Sequence, residues 1–408
     1  FTFSFSFNFW EVIMKIKKLN RRKLVKGVGS LTAIAGISAS PIGSLAANVI
    51  GGNEITSVDS NEKGSELNFL CWEGYDYPEN SDPFSKQYDA KMRFQLVNSD
   101  PDAVNKLRGG QDKVFDLVNL NNPWANVMYN EGLILPLDEQ TFRPYYDRMI
   151  DRFKWPYKWA HSNMDGKLLG MVQRFGPMSF VINTNKISKA SARSEGYKIA
   201  LESSMKGRYG ILGWPNETGY VLSIMADANP YVKKTPAQLE KIDEITRYVL
   251  KNAKVIDENP GALNNALVNG EIDMYMAGGT YTVSSLRADG HPECLAVSPD
   301  SGPIVGRGGI AYVEITSVIN NPNLSPLAGD YLHYMQTPEA ALRIARSGGT
   351  LNPVCTMPEL ENQLSANELM AIQYDELDEH MSLCAEFEEN PDYEHMSAVW
   401  AEALRERG

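Results

Sequence analysis

The segment Val114–Leu120, VFDLVNL, is apolar at nearly every position rather than at every second one. A strand with one face in water alternates. One buried on both faces does not, and that kind belongs to a sheet covered by helices on both sides. Its surroundings keep the matching rhythm. ELNFLCW (66–72) and KMRFQLVNS (91–99) read as strands, and DPDAVNKLRGG (100–110) reads as a helix capped by Asp100, with Pro101 in its first turn and Gly109 beyond its end. NPWANVMYNEG then reads as a short helix. Units of this kind fold as α/β layers with right-handed crossovers. A second such region follows. PMSFVINTNKI (177–187) is a strand running into a turn, and TPAQLEKIDEITRYVLKNA is an amphipathic helix opening on Thr235-Pro236. GIAYVEITSVIN adds a strand, SPLAGDYLHYMQTPEAALRIARSGG two helices, and MSAVWAEALRERG a last helix.

What precedes these elements reads as an address. Residues 1–13, FTFSFSFNFWEVI, stand before the first methionine and read as an upstream reading-frame artefact. Residues 14–46 have a basic start, a weakly apolar stretch rich in Gly, Ala and Ser, and a small-residue cleavage pattern at Ser44-Leu45-Ala46, as an export signal does. Within it, Asn20-Arg21-Arg22-Lys23-Leu24-Val25-Lys26 is similar to the twin-arginine signal that passes folded cargo to the Tat machinery. Residues 47–65 read as a polar linker. Gly27–Ala47 is long enough to span a bilayer, but its glycines and serines make it a poor spanning helix, and no later stretch approaches the required ~20 apolar residues. The first cysteine, Cys71, follows bulky residues that do not suit a lipid-attachment site. The mature chain is therefore expected free in the periplasm, and its roughly 360 residues call for two domains.

Residues 1–46 hold seven Lys/Arg and one Glu, so their removal takes the formal charge from -12 to -18. So acidic a chain is a poor partner for nucleic acid or an anionic membrane. No two of the four cysteines, Cys71, Cys294, Cys355 and Cys384, form a CxxC, and in an oxidising compartment they allow three disulfide pairings that spacing does not rank. No GxSxG, GxGxxG after a strand, Walker A loop or HExxH is present. His380 and Cys384, four apart near Met381, His395 and Met396, offer soft ligands that could hold copper, or are incidental residues of an acidic tail. No cofactor or metal is expected. Five turns stand out instead: Trp72–Tyr75, Asn119–Trp124, Trp214–Thr218, Ala277–Tyr281 and Gly348–Asn352. They fall where apolar strands end, which is where α/β sheets hold ligands. Aromatics with a few polar groups are what a small-molecule pocket needs, although Asn, Gly and Pro are also plain turn chemistry.

These landmarks, in this order and spacing, resemble the periplasmic solute-binding proteins of ABC importers, near the spermidine/putrescine-binding branch. LNFLCWEGY is similar to that family's first strand with its W-x-x-Y, and FDLVNLNNPWANVMYNEGLILPLD to the next strand and helix. DGKLLGMVQRFGPMSFVINTNKI resembles its crossover, ALVNGEIDMYMAGGTYTVSSLRADG a strand and helix of its second lobe, GIAYVEITSVINNP its return strand and VWAEALRER its closing helix. The resemblance implies an α/β, type II periplasmic-binding-protein fold of two lobes, each a mixed sheet flanked by helices, with the cleft between them. Lobe 1 would comprise 66–172 and 311–350, lobe 2 176–308 and 352–408. It implies a monomer that closes over a small organic solute and delivers it to an inner-membrane permease, with no catalysis.

The resemblance places Trp72 and Tyr75 on first-lobe aromatic positions, with Glu73 between them. Asn121 falls where the family has a small hydroxyl, with Asn122 beside it, and Pro123 where it has an aromatic, with Trp124 next door. Two second-lobe carboxylates map to Asn216 and Gly219, with Glu217 between them and Trp214 before. Met276 replaces an aromatic, Thr280 and Tyr281 follow it, and Glu314 (or Ile315) holds the return-strand acid. A tyrosine near Gly349 is missing, leaving Asn352 there. The aromatic platform persists and most of the ammonium clamp does not, which disfavours a plain polyamine because an unpaired buried ammonium is costly. Arg174, at the crossover, could meet a solute carboxylate or form a hinge ion pair, and with Glu217 or Glu314 it suits a zwitterion. Two rival classes remain, a Tat-exported oxidoreductase or hydrolase and a metal-binding protein using the His380/Cys384 tail.

Overall fold

The computed structural model describes residues 54–55, 65–352 and 362–407; the expected upstream segment and export signal, most of the expected linker and Cys355 lie outside them. In chain order the strands are β1 (Glu66–Cys71), β2 (Lys91–Leu96), β3 (Leu117–Asn121), β4 (Ile134–Leu135), β5 (Met171–Asn183), β6 (Tyr209–Leu212), β7 (Val255–Asp257), β8 (Met274–Gly279), β9 (Cys294–Val297), β10 (Gly309–Ile319) and β11 (Cys384–Glu386). β1 lies between β2 and β3, parallel to both. β3 pairs antiparallel with the far half of β10, Asn121 opposite Glu314 and Leu117 opposite Val318. On the other side, β6 lies parallel to β7 and β8, and β8 runs antiparallel to β5. The two long strands join these groups. The first half of β5 pairs with β10 and its second half with β8 and β9.

Two apolar cores follow from this layout. The first gathers β1, β3, the early part of β5, the later part of β10 and the helices Leu327–Met335 and Pro338–Gly348. The second gathers the rest of β5, β6, β8, β9 and the helices Pro215–Met225 and Pro236–Asn252, closed by Met396, Trp400 and Ala403 of Tyr393–Arg407. Leu364, Ile372, Met381 and Cys384 join the first core, so part of the C-terminal region packs back on it. Helix starts obey local chemistry. Thr235 and Gln238 form a reciprocal capping box ahead of Pro236, and Thr337 accepts from the Ala340 N–H ahead of Pro338.

Two starts differ from the sequence reading. The strand expected from Val114 begins at Leu117, after a 3₁₀ turn at Gln111–Lys113 that leaves Val114 exposed. Asp116 is the reason: its carboxylate accepts from the Asn68 and Ser325 N–H groups at 2.8 Å each, anchoring the entry to the strand. The first-lobe helix Asp100–Arg108 is capped by Ser99, whose hydroxyl accepts from Asp102 N–H, not by Asp100. Cys71, Cys294 and Cys384 are buried free thiols, so none of the pairings among these three forms. Among the described residues no helix is long and apolar enough to cross a membrane.

Candidate functional site

With Ser99 doing the capping, the Asp100 side chain is released inward. Trp72, at the end of β1, donates its indole N–H to Asp100 Oδ1 at 3.0 Å, and Asn121, at the end of β3, donates its amide to Oδ2 at 2.7 Å and its backbone N–H to Oδ1 at 3.3 Å. The Trp72 ring lies 5.8 Å from that of Trp214, from the other lobe, tilted by 47°. Trp214 stacks on Tyr281 at 6.3 Å and 13°, and Tyr281 meets Tyr312 of β10 edge-on at 5.3 Å. A row of four rings thus runs from the first lobe through the second to a crossing strand. Such rings present π faces to a cation and apolar area to methylenes.

Tyr75, three residues after Trp72, has a different duty. Its hydroxyl donates to Glu314 Oε2 at 2.8 Å and accepts from Asn119 at 3.2 Å, and its ring lies 4.4 Å beneath the Arg174 guanidinium. Arg174 grips Glu314 bidentately, Nε to Oε2 at 2.9 Å and Nη2 to Oε1 at 2.8 Å, and its Nη1 donates to the Glu73 carbonyl at 2.8 Å. Burial works against the guanidinium's charge and Glu314 more than offsets it, so Arg174 stays firmly protonated. The pair forms where β5 faces β10, at the bulge between Glu314 and Ile315. Of the two roles open to Arg174, the structure builds the hinge ion pair, and neither member is left for a zwitterion. Gly74 is required here: at φ +105° it lets the turn pass, and a Cβ would come within 2.8 Å of Arg174 Nη1.

Glu217, in the first turn of Pro215–Met225, whose preceding residue Trp214 meets Trp72, lies within the field of Asp100. It is 3% exposed; Oε1 accepts from Asn216 at 3.2 Å, and Oε2 has no hydrogen-bond partner among the described residues. Burial raises its pKa to about 8, with the Asp100 charge pushing the same way. Burial likewise raises Asp100 to about 7, against the donors from Asn121 and Trp72 that favour its anion. The cleft therefore carries one compensated charge cluster and one uncompensated pair.

The other expected residues divide. Asn121 and Asn216 hold the two acids. Trp124 is buried beside them in sequence, its indole N–H unpartnered. Glu73 is corrected: its side chain is exposed and takes the Tyr77 hydroxyl at 2.9 Å. Met276 is wholly buried in the second core, and Thr280 opens the helix Thr280–Ala288. Asn352 is buried and donates weakly to the Met335 carbonyl at 3.5 Å. Asn122 donates to the Phe387 carbonyl at 2.5 Å. That contact belongs to a strap the sequence reading missed: Glu386 takes Lys158 and Trp159 at 2.8 and 3.0 Å, and the Glu388 carbonyl takes the Tyr220 hydroxyl at 2.8 Å. Asp100 and Tyr312 were missed as well. The tail's proposed copper ligands are separately engaged, His380 with Glu376 at 3.4 Å and His395 with Asp243 at 3.0 Å. Among the described residues no three His, Cys, Asp or Glu side chains are grouped to hold a metal ion.

No family model matches the chain, and no curated sequence does. Solved structures match over most of it. A putative spermidine/putrescine ABC transporter from Listeria monocytogenes aligns with a TM-score of 0.65 at 16% identity, covering 84% of this chain and 98% of its own. The spermidine/putrescine ABC transporter substrate-binding protein PotD from Streptococcus pneumoniae aligns at 0.61 and 15%, covering 84% and 100%. The PBP MotA from A. tumefaciens B6, in complex with glucopine, aligns at 0.58 and 10%, with the same coverage. With its two cores, crossing strands and facing turns, the chain has the two-lobed α/β fold of ABC-transporter substrate-binding proteins.

Proposed function

We propose that this chain is the solute-capturing component of an ABC importer, exported through the Tat machinery, working as a monomer in the periplasm and handing a small nitrogen-containing organic solute to an inner-membrane permease. In this reading it catalyses nothing and uses no cofactor. The observation that carries it is the meeting of Trp72 and Trp214 from opposite lobes at 5.8 Å, directly beside the buried Asp100 that Trp72 holds. Aromatic faces from both sides bury a solute only when the lobes are together, which couples capture to the closed shape a permease would read. Trp72, Trp214 and Tyr281 supply apolar and cation–π surface, Trp124 a hydrogen bond, and Glu217 charge. Neighbours of the same fold that are named for spermidine and putrescine or for GABA, or that hold glucopine, support a nitrogen-bearing solute.

A thermal-shift panel of polyamines, amino acids, betaines, phosphonates, sugars and divalent metals tests it. A ligand that binds only the native state stabilises it by about 2.7 kcal/mol at a hundredfold excess over its Kd. A shift with one nitrogen-containing class, lost in Trp72→Ala, is expected. Shifts with metals alone would sink the reading.

A further inference from the structure

Resting on the solute-binding reading above, we infer that Asp100 and Glu217 form the seat for a single cationic nitrogen, and that this cation enters in exchange for a proton. Asp100 is the first residue of a first-lobe helix and Glu217 lies in the first turn of a second-lobe helix. Each carboxylate therefore sits at a positive helix end, which helps keep it ionisable although buried. Their oxygens are not equally free. Asp100 already accepts three donors, whereas Glu217 Oε2 accepts none. One nitrogen can take Oε2 and lie in the field of Asp100. A second ammonium, as in a linear diamine, would meet rings and no open carboxylate.

The groups facing this pair agree. Asp102, Glu314, Tyr220 and Tyr281 are acidic or neutral; Arg174, beside Glu314, is held by it, and Arg108, beyond Glu389, is held by Glu131. Among the described residues a solute carboxylate meets no free cation there, which argues against a zwitterion. Two coupled acids titrating near 7 and near 8 share about one proton between those pH values. On binding, that O–H bond breaks, the proton leaves to solvent, and the cation's charge, with N–H donors where it has them, takes over the carboxylate oxygens. Charge balances: one positive charge enters and one leaves.

Calorimetric titration of the whole protein with butylamine, choline, putrescine and γ-aminobutyrate tests this, in phosphate and in Tris, between about pH 6 and pH 8. A monocation is expected to bind more tightly than the diamine or the zwitterion. Its affinity should rise about tenfold per pH unit between about pH 7 and pH 8, with a buffer-dependent heat reporting one released proton. Glu217→Gln should abolish the proton release and lower affinity about tenfold to hundredfold, while its Tm at pH 8 does not fall. Asp100→Asn, a second isosteric variant, leaves burial to hold the Glu217 proton and should weaken binding while release persists. Affinity that is flat in pH, release that survives Glu217→Gln, or preference for putrescine, γ-aminobutyrate or an uncharged solute overturns the inference and leaves solute capture standing. If neither these probes nor the broader panel binds, both readings fall.

Discussion

The cleft contains two buried acidic clusters built on opposite plans. At the crossing strands, Glu314 is matched by a bidentate Arg174 and a Tyr75 hydroxyl. Between the lobes, Asp100 and Glu217 have amide and indole donors but no cation among the described residues. The desolvation cost of the first cluster is met inside the fold, so it behaves as architecture and holds whatever the solute. In the proposed reading, that of the second is met by the solute's cation or by a proton.

The largest effect should come from breaking the first cluster. Arg174→Met strands Glu314 in the interior and should destabilise the protein by about 3–5 kcal/mol in urea denaturation. Glu217→Gln should be neutral or stabilising at pH 8. Equal losses in the two would erase the contrast. Next comes closure. Gly349 ends the helix Pro338–Gly348 at φ +60°, and a Cβ there would lie 1.6 Å from Ser284 Oγ on the other lobe. Gly349→Ala should weaken solute binding about tenfold or more by overpacking this contact, about 1–3 kcal/mol, read by titration calorimetry.

The pH dependence sharpens the contrast further. Glu217 has a raised native pKa of about 8 against 4.5 for the free group, so the native state binds the proton more tightly. The proton's contribution to stability is fully present below about pH 4.5 and is lost as pH rises to about 8. The ligand-free slope is at most about 1.4 kcal/mol per pH unit for this proton. Denaturation midpoints of Glu217→Gln should lack it. The smallest effect is Ser99→Ala, about 1 kcal/mol from the lost cap. The same change should also shift solute affinity if the cap is what frees Asp100 to face Glu217.

The sequence carried the alternating strands and helices, the Thr235 cap and the aromatic turns, because these are set by local periodicity and turn chemistry. Asp100 was misread because Ser99 and Asp100 are both good caps one residue apart. The signal was there: Ser99-Asp100-Pro101-Asp102 has the spacing of a Ser cap with an acid three residues on. The Arg174–Glu314 pair was not legible, since its members stand 140 residues apart and meet only through the antiparallel register of β5 and β10. The unequal duties of Trp72 and Tyr75 were hidden for the same reason: which one faces the other lobe depends on Glu314 and Asp100, neither of which is a sequence neighbour of both.

The tilted Trp72–Trp214 pair has an optical consequence. Two indoles 5.8 Å apart at 47° share their electronic excitation, and that sharing dies away steeply with separation. If solute capture moves the lobes as proposed, the far-ultraviolet circular dichroism should show a split signal of aromatic origin that grows on closure. Lost in Trp72→Phe, that signal would be an unlabelled gauge with which closure is timed on rapid mixing before the solute has been named.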